Sequence, residues 1–184
     1  MIGKALRAGL QSGTIMGMAD VSTQVLIEGK TIGTAAKDPS TEATDVSYDA
    51  SRTLRWAFLG LVLHGPYFFA GFSFLDRKFA TKAGSVISSK TVAQKTVAAQ
   101  CFLFPPYLTL LFGALGILEN EPDIASKIRI RVPEAFVSGC VYWPVANSIN
   151  FKFVPIHLRV PYLALSSGVW NSYLSYTNGG GSSN

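Results

Sequence analysis

The sequence predicts an all-α fold: a polytopic transmembrane helical bundle of about four spans, with broken, proline-kinked helices. Two observations predict it. Hydrophobic residues make up 48% of the 184 residues and charged ones only 15%, too few charges for the surface of an ordinary soluble domain. Those charges are also gathered: none falls in the 20 residues between Arg55 and Asp76, the 23 between Lys95 and Glu119, the 17 between Glu134 and Lys152, or the 25 after Arg159. About 20 uncharged residues cross a hydrocarbon core at the helical rise, a length that a soluble core helix rarely needs. The mean hydropathy of +0.29 and the frequent Gly and Ser leave a soluble all-helical protein as the alternative.

The elements follow in chain order within one membrane-embedded domain, residues 1–184. A first span covers residues 5–27 and a polar loop runs over 28–51, small, polar and mildly acidic as an exposed connection should be. A second span covers 54–74, a basic loop follows, and a third covers 92–118. Pro105 and Pro106 lie near the centre of the third span, where each removes a backbone donor and crowds the preceding turn, so a kink is expected there. A charged connector leads to residue 135, then two apolar pieces, 136–151 and 162–176, each short of a usual span. They make one broken crossing, two tilted helices, or a crossing with an interfacial helix. Pro144, Pro155 and Pro161 predict a break, which is tolerated at membrane depth only where protein or a water-filled cavity covers the freed carbonyls. The Gly/Ser-rich end, 177–184, reads as a flexible tail.

Enzymatic chemistry has no visible home. Cys101 and Cys140 stand alone in apolar runs without a CxxC, and His64 and His157 lie far from the i,i+4 spacing of a zinc helix. No Gly-rich loop precedes a helix to cradle a phosphate. No catalytic, cofactor or metal site is therefore expected, beyond a bound phospholipid. The formal net charge of +5 suits anionic phospholipids better than nucleic acid, because the bases flank apolar spans instead of clustering with aromatics. The expected partners are the bilayer, its anionic phospholipids and other membrane subunits.

Close packing is the clearest local signal. Gly9, Gly13 and Gly17 recur every four residues, a stripe that lets helix backbones approach in lipid. Asp20 and Gln24 continue the same face. A carboxylate at that depth costs roughly 2.5 to 3.5 kcal/mol on insertion scales, so it should face the interior with a partner, for which Arg55, Lys95 and Arg159 are the candidates. Trp143, Asn147 and Asn150 fall at i, i+4 and i+7 and share one helix face; their amides either bond neighbouring helices or line an aqueous cavity. Asp20, Asn147 and Asn150 are expected to meet in one interior cluster, either a lock between helices or part of a solute path.

The carboxy-terminal run Trp143, Pro144, Asn150, Phe151, Val154, Pro155, Arg159, Trp170, Tyr173, Leu174 and Ser175 resembles the motif of the Mpv-seventeen and peroxisomal membrane protein twenty-two family. Asp20 and Gln24, Arg52 to Arg55 with Gly65, Pro66 and Asp76, and Lys95 with Gln100 and Pro105 resemble its other blocks. The resemblance implies a helical membrane protein of the mitochondrial inner membrane or, alternatively, of peroxisomes, with no reaction. Members are linked to pore formation, small-solute movement and maintenance of mitochondrial DNA. Interior-cluster or pore candidates are then Asp20, Gln24, Arg55, Lys95, Gln100, Asn147, Asn150 and Arg159. The chain departs from the pattern at Asn147, Ala99, Phe69, Gly71 and Asn120. Ala99 and Phe69 replace polar groups and make any pore drier, which favours a scaffold, an accessory subunit or lipid-contacting partner of a larger inner-membrane complex, over a small weakly selective channel.

Targeting and orientation carry less. The first 19 residues hold Lys4 and Arg7 without a leucine-rich h-region, so neither a secretory peptide nor a long presequence is expected. Assigning loops to alternate sides puts 9 bases against 7, too small a bias to orient the chain.

Overall fold

The computed structural model describes residues 2–32, 47–79 and 87–179, with side chains as far as Tyr173. Most of the expected polar loop, part of the basic loop, the end of the tail, and the side chains of Leu174 and Ser175 lie outside the described residues. Five helices account for most of the rest, and the described residues contain no strand beyond a Thr31–Ser47 bridge. Helix α1 is Ile2–Ser22, extended by a π turn over Thr23–Ile27. Helices α2, Ala50–Lys78, and α3, Ser89–Leu118, are each long and apolar enough to cross a membrane. Helix α4 is Ile124–Phe153 and α5 is Arg159–Gly179.

Local chemistry sets the boundaries. Asp49, Ser88 and Asp123 cap α2, α3 and α4 by accepting the backbone N–H of Arg52, Thr91 and Ser126, which satisfies a donor that a helix start leaves free. Helix α3 ends on Asn120 at φ 53°. There the Glu121 N–H reaches the Gly116 carbonyl and the Asn120 N–H reaches that of Ile117, the paired bonds of a Schellman end. Asn tolerates this left-handed conformation, so the turn forms without a Gly.

The prolines act in two ways. Pro66 and the Pro105–Pro106 pair each follow a π turn, Gly60–His64 and Ala99–Leu103, and sit in the first turn of the helical segment that resumes. A wider turn relieves the clash of the ring with the carbonyl four residues back. The interruption expected in the third span is thus a π turn just ahead of the prolines. In contrast, α4 runs through Pro133 and Pro144 as one helix. The expected break at Pro144 is absent; the chain leaves α4 at Val154, extended at ψ 126° as the residue before a proline prefers. Pro161 stands third in α5, where its missing N–H has no partner to lose. Residues 136–176 therefore form two helices, and most of the charged connector is the first three turns of α4.

Helices consecutive in the chain run antiparallel, whereas α1 and α5 run parallel, with Ala19 on Gly168 and Thr23 on Ser172. The glycine stripe of α1 lies on α2, where a Cβ at Gly13 would meet the Ala57 carbonyl oxygen at 2.7 Å. Gly60 and Gly65 answer from α2, with added Cβ atoms 2.6 Å from the Gly13 Cα and 2.5 Å from the Ala8 oxygen. Backbone thus meets backbone, the contact that small residues allow in lipid. Gly168 of α5 closes on Ala19. Between α2, α3 and α4 the interior is aromatic: Phe68 meets Tyr107 at 4.7 Å, Phe104 meets Trp143 at 4.8 Å, and Phe72 meets Phe151 at 5.2 Å.

Candidate functional site: two polar clusters

Because α1 and α2 are antiparallel, Asp20 near the end of α1 lands beside the start of α2. Its Oδ1 accepts Arg52 Nε at 2.7 Å, and its Oδ2 accepts Gln24 Nε2 at 2.8 Å and Thr53 Oγ1 at 2.5 Å. Gln24 sits in the π turn and is fully buried; its Oε1 takes the Asp49 N–H at 2.8 Å and its Nε2 reaches the Asp49 carbonyl at 2.9 Å. Arg52 also pairs with Glu28 at 2.8 Å. A cavity of about 260 Å³ opens here, lined among others by Asp20, Glu28, Arg52, Trp56 and Asn171.

A second cluster forms at the other end of α2. Asp76 Oδ1 accepts both Lys95 Nζ from α3 at 2.7 Å and Arg159 Nη1 from α5 at 2.5 Å. Arg159 Nε donates to the Val154 carbonyl and Nη2 to that of Phe151, so the guanidinium satisfies carbonyls where α4 ends. Lys95 and Arg159 lie 6.0 and 5.5 Å from the centre of the Phe151 ring, within cation–π range. A cavity of about 460 Å³ adjoins them.

The two clusters stand at opposite faces. Arg52 and Asp76 are 24 residues apart on α2, about 36 Å at the helical rise, against a hydrocarbon core of about 30 Å. This separation corrects two expectations. Arg55, Lys95 and Arg159 are not the partners of Asp20: Arg55 lies 3.8 Å from Asp49 and 3.9 Å from Glu119, and the other two serve Asp76. Asp20 also does not meet Asn147 and Asn150, since the Asn150 amide donates to the Arg159 carbonyl at 3.3 Å and so belongs to the Asp76 end.

Between the ends, polar groups are buried among the rings. His64, in the second π turn, has Nδ1 3.2 Å from Ser12 Oγ. Gln100, in the third, directs Nε2 toward Cys140 Sγ at 3.9 Å. His64 Nε2, Gln100 Oε1, Asn150 Oδ1 and both amide atoms of Asn147 have no hydrogen-bond partner. Trp143, Phe151 and Trp170 belong to the aromatic packing, and Tyr173 adjoins Trp170. Asp76 as an ion-pair hub, Thr53 as a ligand of Asp20 and the answering Gly60 and Gly65 were not read from the residues. The signals were there: Asp76 closes an uncharged run, and both glycines interrupt an apolar span.

The fold and its paired end clusters define a polytopic helical membrane protein. A model of the Mpv17 / PMP22 family matches residues 116–175. The chain is 30% identical to the mitochondrial inner membrane protein Mpv17 of Bos taurus, over 91% of this chain and 86% of that one. It is 31% identical to the PXMP2/4 family protein 4 of Dictyostelium discoideum, over 73% and 71%, and 26% identical to the protein sym-1 of Neurospora crassa, over 95% and 91%. The chain belongs to the Mpv17 / PMP22 family and is a protein of the mitochondrial inner membrane. No solved structure matches it.

Proposed function

We propose that the protein is a non-catalytic scaffold, a structural accessory subunit or lipid-contacting partner of a larger inner-membrane complex. The observation that carries this reading is the filled aromatic interior between the two end cavities. A conducting path would run through Phe68, Phe72, Phe104, Tyr107, Trp143 and Phe151, each at most 6% exposed. Ala99, buried at 1%, adds no polar group to that path. The glycine seam and the two ionic clusters hold helices against one another, which is work for a scaffold.

The small-solute channel keeps one supporting observation, the unpartnered buried amide oxygens of Gln100, Asn147 and Asn150, since a buried polar atom without a partner costs about 1 to 3 kcal/mol. Planar-bilayer recording of the pure protein separates the readings. The scaffold predicts no unitary currents; reproducible currents that Asn147→Leu alters in size would overturn it. Co-purification of a large complex from mild detergent is the matching positive result.

A further inference from the structure

Charge is out of balance at the Asp76 end. Lys95 and Arg159 are 4% and 7% exposed, and both bond the same carboxylate oxygen. One negative charge thus faces two buried positive ones, and a buried cation without a counter-charge is strongly destabilising. Nearby acids do not restore the balance: Asp76 is the only carboxylate at this end among the described residues, and residues 80–86 of the sequence contain no acid. Arg77, Lys78, Lys90 and Lys152 add further bases.

Donors are in surplus as well. Lys95 uses one of its three N–H bonds on Asp76, and Arg159 directs three of its five at Asp76, Val154 and Phe151, which leaves two on each. These side chains line the 460 Å³ cavity, with Lys152 also in its wall. Asp76 also lines it, its charge already shared between Lys95 and Arg159; the other lining side chains are apolar, and Phe153 and Ile156 are 69% and 71% exposed.

We propose that this cavity holds the phosphodiester headgroup of an anionic phospholipid. Phosphate oxygens take the free donors of Lys95 and Arg159, for which a guanidinium fork is well matched. Lys152 contributes charge at the rim, and an acyl chain follows Phe153 and Ile156 into the bilayer. Basic pockets between membrane helices hold such headgroups. The inference deepens the lipid-contacting reading above but does not depend on whether the protein conducts, so bilayer currents and lipid binding fail separately.

The test is thermal unfolding of the purified, delipidated protein in neutral detergent, with cardiolipin, phosphatidylcholine or inorganic phosphate added. Cardiolipin should raise the midpoint saturably, and phosphatidylcholine and inorganic phosphate should not. Lys152→Gln, on an exposed side chain, should weaken the cardiolipin effect about fivefold, whereas Lys90→Gln, an exposed base outside the cavity, should leave it unchanged. Equal stabilisation by phosphatidylcholine, or equal losses from both variants, would show general attraction to a basic face and overturn the site. Stabilisation by inorganic phosphate at the same concentration as cardiolipin would assign the cavity to a free phosphate and overturn the lipid.

Discussion

At one end of α2, Asp20 is met by Arg52, Gln24 and Thr53, and Arg52 has Glu28 in reserve. At the other end, among the described residues, Asp76 alone answers Lys95 and Arg159. The first cluster joins α1 to α2 and the second joins α2, α3 and α5; in the first the carboxylate is the group being satisfied, and in the second it is the scarce group. The lesson concerns removal: deleting an acid from the first cluster leaves a cation that still has a partner, and deleting it from the second strands two cations in the interior.

The largest expected effect follows directly. Asp76→Asn should cost about 3 to 5 kcal/mol, enough to exhaust the stability of many domains, and the protein should fail to accumulate in the membrane. Asp20→Asn should cost about 1.5 to 3 kcal/mol, because its hydrogen bonds to charged groups weaken while Arg52 keeps Glu28. Membrane-fraction yield and detergent melting of the two variants measure the contrast. If Asp20→Asn is the worse of the two, the ends have been ranked the wrong way round.

This contrast marks where sequence reasoning stopped. The helical membrane class, the two apolar helices α2 and α3, the glycine stripe and the buried state of Asp20, Gln24, Asn147 and Asn150 were legible, because uncharged length and helical spacing report on them directly. Partner choice was not. It depends on which helix ends share a face, and Arg52 and Arg55 are indistinguishable until the phase of α2 against α1 is known. The continuity of α4 was hidden for a similar reason: Lys127, Arg129 and Arg131 read as a connector, though a long helix projects charges beyond the bilayer as readily as a loop does. The π turns leave no periodic signal of their own, yet each carries a buried polar side chain: Gln24, His64 and Gln100.

The seam between the ends supplies the next effect. Gly13→Leu must push α1 off the Ala57 carbonyl and Gly60, and overpacking of this kind costs about 1 to 3 kcal/mol. Gly3→Leu is the control, since nothing lies within 4 Å of its added Cβ. The first variant should melt several degrees lower in detergent and the second should match the unmodified protein. A Gly13→Leu protein that melts normally would mean the seam does not bind α1 to α2, and the Asp20 cluster would then be the main tie.

The smallest effect is sought inside one cluster. Arg52 and Arg55 lie three residues apart on α2 and are similarly exposed, 28% and 26% of the side chain, so sequence and burial alone rank them equally. Geometry separates them. Arg52 makes short bonds to Asp20 and Glu28, and Arg52→Gln leaves Asp20, whose side chain is only 5% exposed, without its cation. Arg55 stands 3.8 and 3.9 Å from Asp49 and Glu119, which are 43% and 37% exposed; water screens such pairs, whose worth is about 0 to 1 kcal/mol. Arg55→Gln should therefore shift detergent melting by little, and raising the salt concentration should erase even that difference. Arg52→Gln should lower melting clearly, with most of the loss persisting at high salt. Comparable losses from the two variants would mean that Asp20 draws on the summed field of both arginines, and the ordered cluster drawn here would have to give way to a diffuse one.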